Sequence, residues 1–80
     1  MYKNRAGELN NLCGRKIAKY RSSIEPYMSQ RALADRLQLG GIDLDKNAVQ
    51  RIESGKRFVT DIELKAFAEL FGTTADDLLS

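Results

Sequence analysis

Asp45-Lys46-Asn47-Ala48-Val49-Gln50-Arg51-Ile52-Glu53-Ser54-Gly55-Lys56-Arg57 is the run from which the rest of the chain can be placed. Asp45 is a good helix N-cap and Gly55 a good residue just past a helix end, so a short helix is marked at both ends. Val49 and Ile52, three apart, give it one narrow apolar edge. Lys46, Asn47, Gln50, Arg51 and Ser54 occupy the remaining surface. Asparagine, glutamine and arginine can make paired hydrogen bonds to base edges in a major groove. Lys56 and Arg57 follow at the C-terminal end, where cations suit both the helix dipole and a phosphate backbone. By itself the same pattern also describes a solvated surface helix.

Outward from this run the chain reads as short helices. Residues 1–8 show no apolar period and are expected to be a loose arm ahead of a single domain, residues 9–80. Leu9, Cys13, Ile17 and Tyr20 fall at helical spacings and predict a first helix from Asn10 or Asn11 to Ser22, with these four as its inner stripe. The lone Cys13 reads as a small core residue. Pro26 marks the loop that follows. Ser29 caps a second helix running to about Gln38, with Leu33, Ala34 and Leu37 inside. Ser29, Gln30 and Arg31 stand at its open N–H end, a place suited to a phosphate. Leu39-Gly40-Gly41 ends it and begins an irregular connection to Leu44. After the extended link at Phe58 and Val59, Thr60 and Glu63 form a capping box. Leu64, Phe67, Ala68 and Phe71 then face inward until Gly72. Thr74 to Asp77 repeats the capping pattern for a last short turn, with Ala75 and Leu78 inward and Asp76 and Asp77 complementing the helix dipole.

Composition narrows the function classes. Eighty residues make one small domain, and 42% hydrophobic with 30% charged residues is a globular balance, not a disordered one. Neither a membrane span nor a signal-peptide segment is visible, and one cysteine cannot build a disulfide framework, so an intracellular, cytoplasmic protein is expected. Histidine is absent, which removes the commonest general base and transition-metal ligand. No phosphate loop or nucleophile motif is present, so no enzyme, metal or cofactor is expected. The net charge of +2 is unevenly spread. Residues 1–34 balance at +5 and residues 46–57 at +3, against −4 for residues 60–80. A basic front with an acidic tail suits a nucleic-acid footprint.

Ser29-Gln30, Leu33-Ala34, Val49, Arg51-Ile52-Glu53, Gly55, Arg57, Leu70-Phe71-Gly72 and Asp77-Leu78 together resemble the lambda-repressor-like (Xre-type) helix-turn-helix family, from about Asn11 to Leu79. The most specific pieces are the Ser-Gln start of helix two and the Ile-Glu-x-Gly-x-Arg run closing helix three. The resemblance implies an all-α five-helix domain whose helices two and three form the DNA-binding unit, with helix three in the major groove. It implies that Lys46, Asn47, Gln50 and Arg51 read bases, that Gln30, Lys56 and Arg57 touch phosphates, and that Arg21 pairs with Glu53. Two departures stand out. The loop from Arg21 to Ser29 is about two residues longer than usual, and Ala34 to Glu53 spans about five more, making Leu39 to Leu44 an insertion inside the motif.

The expected function is therefore sequence-specific binding of double-stranded DNA, as a transcriptional regulator, in the first place a repressor, of a bacterial or phage nucleoid. The family resemblance implies a homodimer, and Phe58 and Leu79, large apolar residues with no evident place in a five-helix core, are the candidate dimer contacts. The rivals are an antitoxin, which would bind operator DNA and a protein toxin, and an adaptor whose helix-three face binds another protein.

Overall fold

Four of the five helices open on a side-chain oxygen, and those caps set the boundaries. The computed structural model describes residues 9–80; the expected arm, residues 1–8, lies outside them. The helices are α1 (Gly14–Ser23), α2 (Gln30–Leu39), α3 (Lys46–Glu53), α4 (Asp61–Phe71) and α5 (Ala75–Leu79), and the described residues contain no strand. Ser29, Asp45, Thr60 and Thr74 each accept the N–H of the residue three further on. Such a bond satisfies one of the donors every helix start leaves open. At Thr60 the capping box is complete, because Glu63 also accepts the Thr60 N–H at 3.1 Å.

The first helix departs from expectation. It starts at Gly14, not at Asn10 or Asn11, and Leu9 lies ahead of it instead of on its inner stripe. The reason is local. The Asn10 N–H donates to the Gly55 carbonyl at 2.8 Å, which docks this strand of backbone against the end of α3. Cys13 holds the N-cap position without a side-chain bond, and Asn11 Oδ1, two residues further out, accepts the Gly14 N–H at 2.8 Å. A Cβ at Gly14 would collide with the carbonyl oxygen of Ile52, so α1 can begin this close to α3 only with glycine there.

One core joins all five helices. Ile17, Leu33, Val49, Ile52, Phe67 and Leu78 are fully buried, with Cys13, Ala34, Leu37 and Leu44 beside them. Burial pushes the Cys13 thiol up from its ordinary pKa, as suits a small core residue. Tyr20 stacks on Phe71 with ring centroids 5.3 Å apart. Its hydroxyl donates to Asp77, whose carboxylate also accepts from Thr73 at 2.8 Å and lies 3.5 Å from Lys16. Asp77 thus fastens α5 to α1, a tertiary role beyond its place in a first helical turn. The Tyr20 hydroxyl, then Thr73, holds the Asp77 carboxyl below its ordinary pKa.

The connection between α2 and α3 is the long one that the spacing predicts. The N–H groups of Gly41 and Ile42 donate back to the carbonyls of Gln38 and Leu37 at 3.0 and 2.9 Å, closing the end of α2. Gln38 Nε2 then donates across the turn to the Leu44 carbonyl at 3.0 Å, and the Leu44 side chain is buried in the core. The insertion is therefore anchored at both ends, by hydrogen bonds and by one leucine.

Candidate nucleic-acid interface

Helix α3 divides cleanly into two faces. Val49 and Ile52 are buried, while Lys46, Asn47, Gln50 and Arg51 are all exposed on the opposite side. None of these four side chains hydrogen-bonds to another described residue, so their donors and acceptors are open to a ligand. That collects two cations, two amides and no acid on one short face, a mixture suited to base edges and phosphates together.

The far end of α3 is held by a charged network. Arg21 Nε donates to Glu53 Oε2 at 2.7 Å and Arg21 Nη2 to Glu53 Oε1 at 3.0 Å, with only 12% and 7% of the two side chains exposed. Arg21 Nη1 also donates to the Met28 carbonyl at 3.0 Å, tying in the loop ahead of α2. Gln30 Nε2 donates to Glu53 Oε1 at 3.0 Å. Glu53 is thus the point where α1, α2 and α3 meet. The hydrogen bond from Arg21 to Glu53, opposed by burial, raises the Arg21 pKa further above its ordinary value.

The expected phosphate contacts fall into two groups. Arg31 and Lys56 are exposed and unengaged among the described residues. Ser29, Gln30 and Arg57 have partners inside the protein. The Ser29 hydroxyl accepts the Ala32 N–H at 3.0 Å, and Gln30 holds Glu53. Arg57 forms a two-pronged pair with Glu63, Nη1 to Oε1 at 2.8 Å and Nη2 to Oε2 at 3.1 Å, and also donates to the Phe58 carbonyl. The pairing with Arg57 holds the Glu63 carboxyl below its ordinary pKa and raises that of Arg57. For Gln30 and Arg57 the nearest function is to fasten α3 to α2 and α4; a phosphate would have to compete with a carboxylate for either.

Asn10 and Asn11 are the residues that sequence reasoning missed. Asn10 Nδ2 donates to the Lys56 carbonyl at 2.9 Å, and Asn11 Nδ2 donates to the carbonyls of Ile52 and Arg57 at 3.0 and 2.7 Å. These partners lie more than forty residues away in sequence. The one local signal was Asn11 standing three residues before Gly14, a capping spacing.

Phe58 and Leu79 lie together. Both are about half exposed, and with Leu12, at 56%, they border a shallow hollow of about 210 Å³ floored by Val59 and Leu64. No described helix is long and apolar enough to cross a membrane.

Comparison with known proteins agrees with this geometry. A helix-turn-helix family model matches residues 17–78, more than three quarters of the chain, from the middle of α1 through α5. No curated protein and no solved structure gives a match. Among the described residues, five helices without a strand, α2 and α3 joined as the motif, and an unengaged polar face on α3 accompany that match, and the chain belongs to the lambda-repressor-like helix-turn-helix family of DNA-binding regulators.

Proposed function

We propose that this protein is a sequence-specific repressor of transcription that binds double-stranded DNA as a homodimer, with α3 in the major groove. The observation that carries this reading is the open face of α3, where Lys46, Asn47, Gln50 and Arg51 are exposed and unengaged among the described residues while Val49 and Ile52 on the other face are buried. Arg51 is the strongest candidate base reader, since its guanidinium fork fits the O6 and N7 of guanine. Arg31 and Lys56 are the candidate phosphate contacts.

Binding sites selected from a random DNA library supply the operator, and titrations on operator and scrambled DNA at several salt concentrations supply the test. Arg51→Ala should cost about 1–3 kcal/mol on operator and little on scrambled DNA. Lys56→Ala should weaken both nearly alike and lower the salt slope by about one. Equal losses on both DNAs for Arg51→Ala would make it a phosphate contact. No effect from either variant would favour a protein partner for α3.

The apolar hollow bordered by Leu12, Phe58 and Leu79 is where a second copy would dock, placing two α3 helices on half-sites about one helical turn apart, roughly 10 base pairs. Phe58→Ser with Leu79→Ser should shift sedimentation toward the monomer and weaken operator binding. An unchanged dimer would place the interface elsewhere. A neighbouring gene product that co-purifies and releases the protein from its operator would identify an antitoxin instead.

A further inference from the structure

We propose that Asn11 is a positioning residue for DNA recognition: its carboxamide fixes the seating of α3 on the scaffold and so decides which bases the open face of α3 meets. The inference rests on the reading of α3 as a DNA-binding helix.

One side chain joins the beginning of α1 to the end of α3. Asn11 Oδ1 accepts the Gly14 N–H, while Asn11 Nδ2 donates to the Ile52 carbonyl within α3 and to the Arg57 carbonyl beyond it. The acceptor and both amide hydrogens of the carboxamide are therefore used. The turn closing α3 is itself tight. The Lys56 N–H donates to the Arg51 carbonyl at 2.8 Å and the Gly55 N–H to the Ile52 carbonyl at 3.0 Å, with Gly55 at φ +81 where only glycine is unstrained. Asn10 brackets the same turn through the carbonyls of Gly55 and Lys56.

The contact at Gly14 leaves little freedom. With its Cα against the Ile52 carbonyl, α1 cannot move toward α3, and the Asn11 bridge resists movement away. The same bridge holds the backbone of Arg57, whose side chain grips Glu63 on α4. Base readout demands placement to a fraction of a hydrogen-bond length, so a helix that rocks about its C-terminal end loses discrimination before it loses charge contact with phosphates.

Asn11→Ser separates this role from simple capping. A serine hydroxyl can still accept the Gly14 N–H, but it is too short to bridge Ile52 and Arg57; Asn11→Ala loses everything. Both variants, wild type and Ala68→Gly on α4, a core change matched for thermal loss, are titrated on selected operator and scrambled DNA. Amide exchange across residues 52–57 is measured in the free proteins. We expect Asn11→Ser and Asn11→Ala alike to lower the operator-to-scrambled ratio about tenfold, the equivalent of one base contact, with the salt slope kept. Exchange in the closing turn should quicken in both, and Ala68→Gly should keep the wild-type ratio. A wild-type ratio in Asn11→Ser, unchanged exchange, or an equal loss in Ala68→Gly would overturn the proposal. If Asn11→Ala does not fold, Asn11→Ser alone decides. A wild-type protein without operator preference fails the DNA reading itself, and this inference with it.

Discussion

The two ends of α3 are built in different ways. At its N-terminal end the chain arrives through the six-residue turn 40–45. There the helix is secured by one exposed cap, Asp45 to the Ala48 N–H at 2.8 Å, and by the buried Leu44 just before it. At its C-terminal end Glu53 binds Arg21 and Gln30, Asn10 and Asn11 bind the closing turn, and Arg57 binds Glu63. The lightly held end carries Lys46 and Asn47, and the heavily held end leads to Lys56. A helix held by many side chains at one end and by few at the other can be presented at a defined angle while its leading residues stay open to a ligand. The long turn lies at the lightly held end, and the contacts of Glu53, Asn10, Asn11 and Arg57 do not involve it.

The largest expected effect follows from that asymmetry. Glu53→Ala strands Arg21 where 12% of its side chain is exposed and removes the partner of Gln30, so it should cost about 3 kcal/mol in denaturant unfolding, the low end for a buried pair. Asp45→Ala removes one exposed cap and should cost about 1 kcal/mol. Equal losses would mean that the two ends are equally held and would break the comparison.

A smaller effect would sharpen it by isolating the charge on one C-terminal fastening. Glu63→Gln can keep the bond to the Thr60 N–H but loses the ion pair with Arg57, worth about 0.2–1 kcal/mol for a partly exposed pair. Because the folded pKa of Glu63 lies below its unfolded value, the pair's stabilisation is complete above the ordinary carboxylate range. It is lost as pH falls through the lowered folded value. Wild type should therefore be the more stable protein at neutral pH, and the gap to Glu63→Gln should close in acid. A gap that stays constant with pH would show that the charge on Glu63 contributes nothing.

How much of this was legible in the sequence depends on the range of each interaction. The caps at Ser29, Asp45, Thr60 and Thr74 act over three residues, and all four helices begin where those residues place them. The start of α1 is not legible in the same way, because Asn11 binds the Gly14 N–H from outside the helix while Asn10 pairs with Gly55 across the fold. The open face of α3 was legible too, since Val49 and Ile52 fix which side turns inward.

What the sequence determined by itself is the set of helices, the inward residues of α2 to α5 and the chemistry displayed on α3, because backbone capping and apolar periodicity are local. Only the tertiary structure decided which polar side chains remain available. Gln30 and Arg57 share residue types with the open positions, yet each lies within hydrogen-bonding distance of a carboxylate brought near by packing. Asn11 reaches two carbonyls more than forty positions away. A donor's partner is fixed by distance in space, and that distance exists only after the helices have packed.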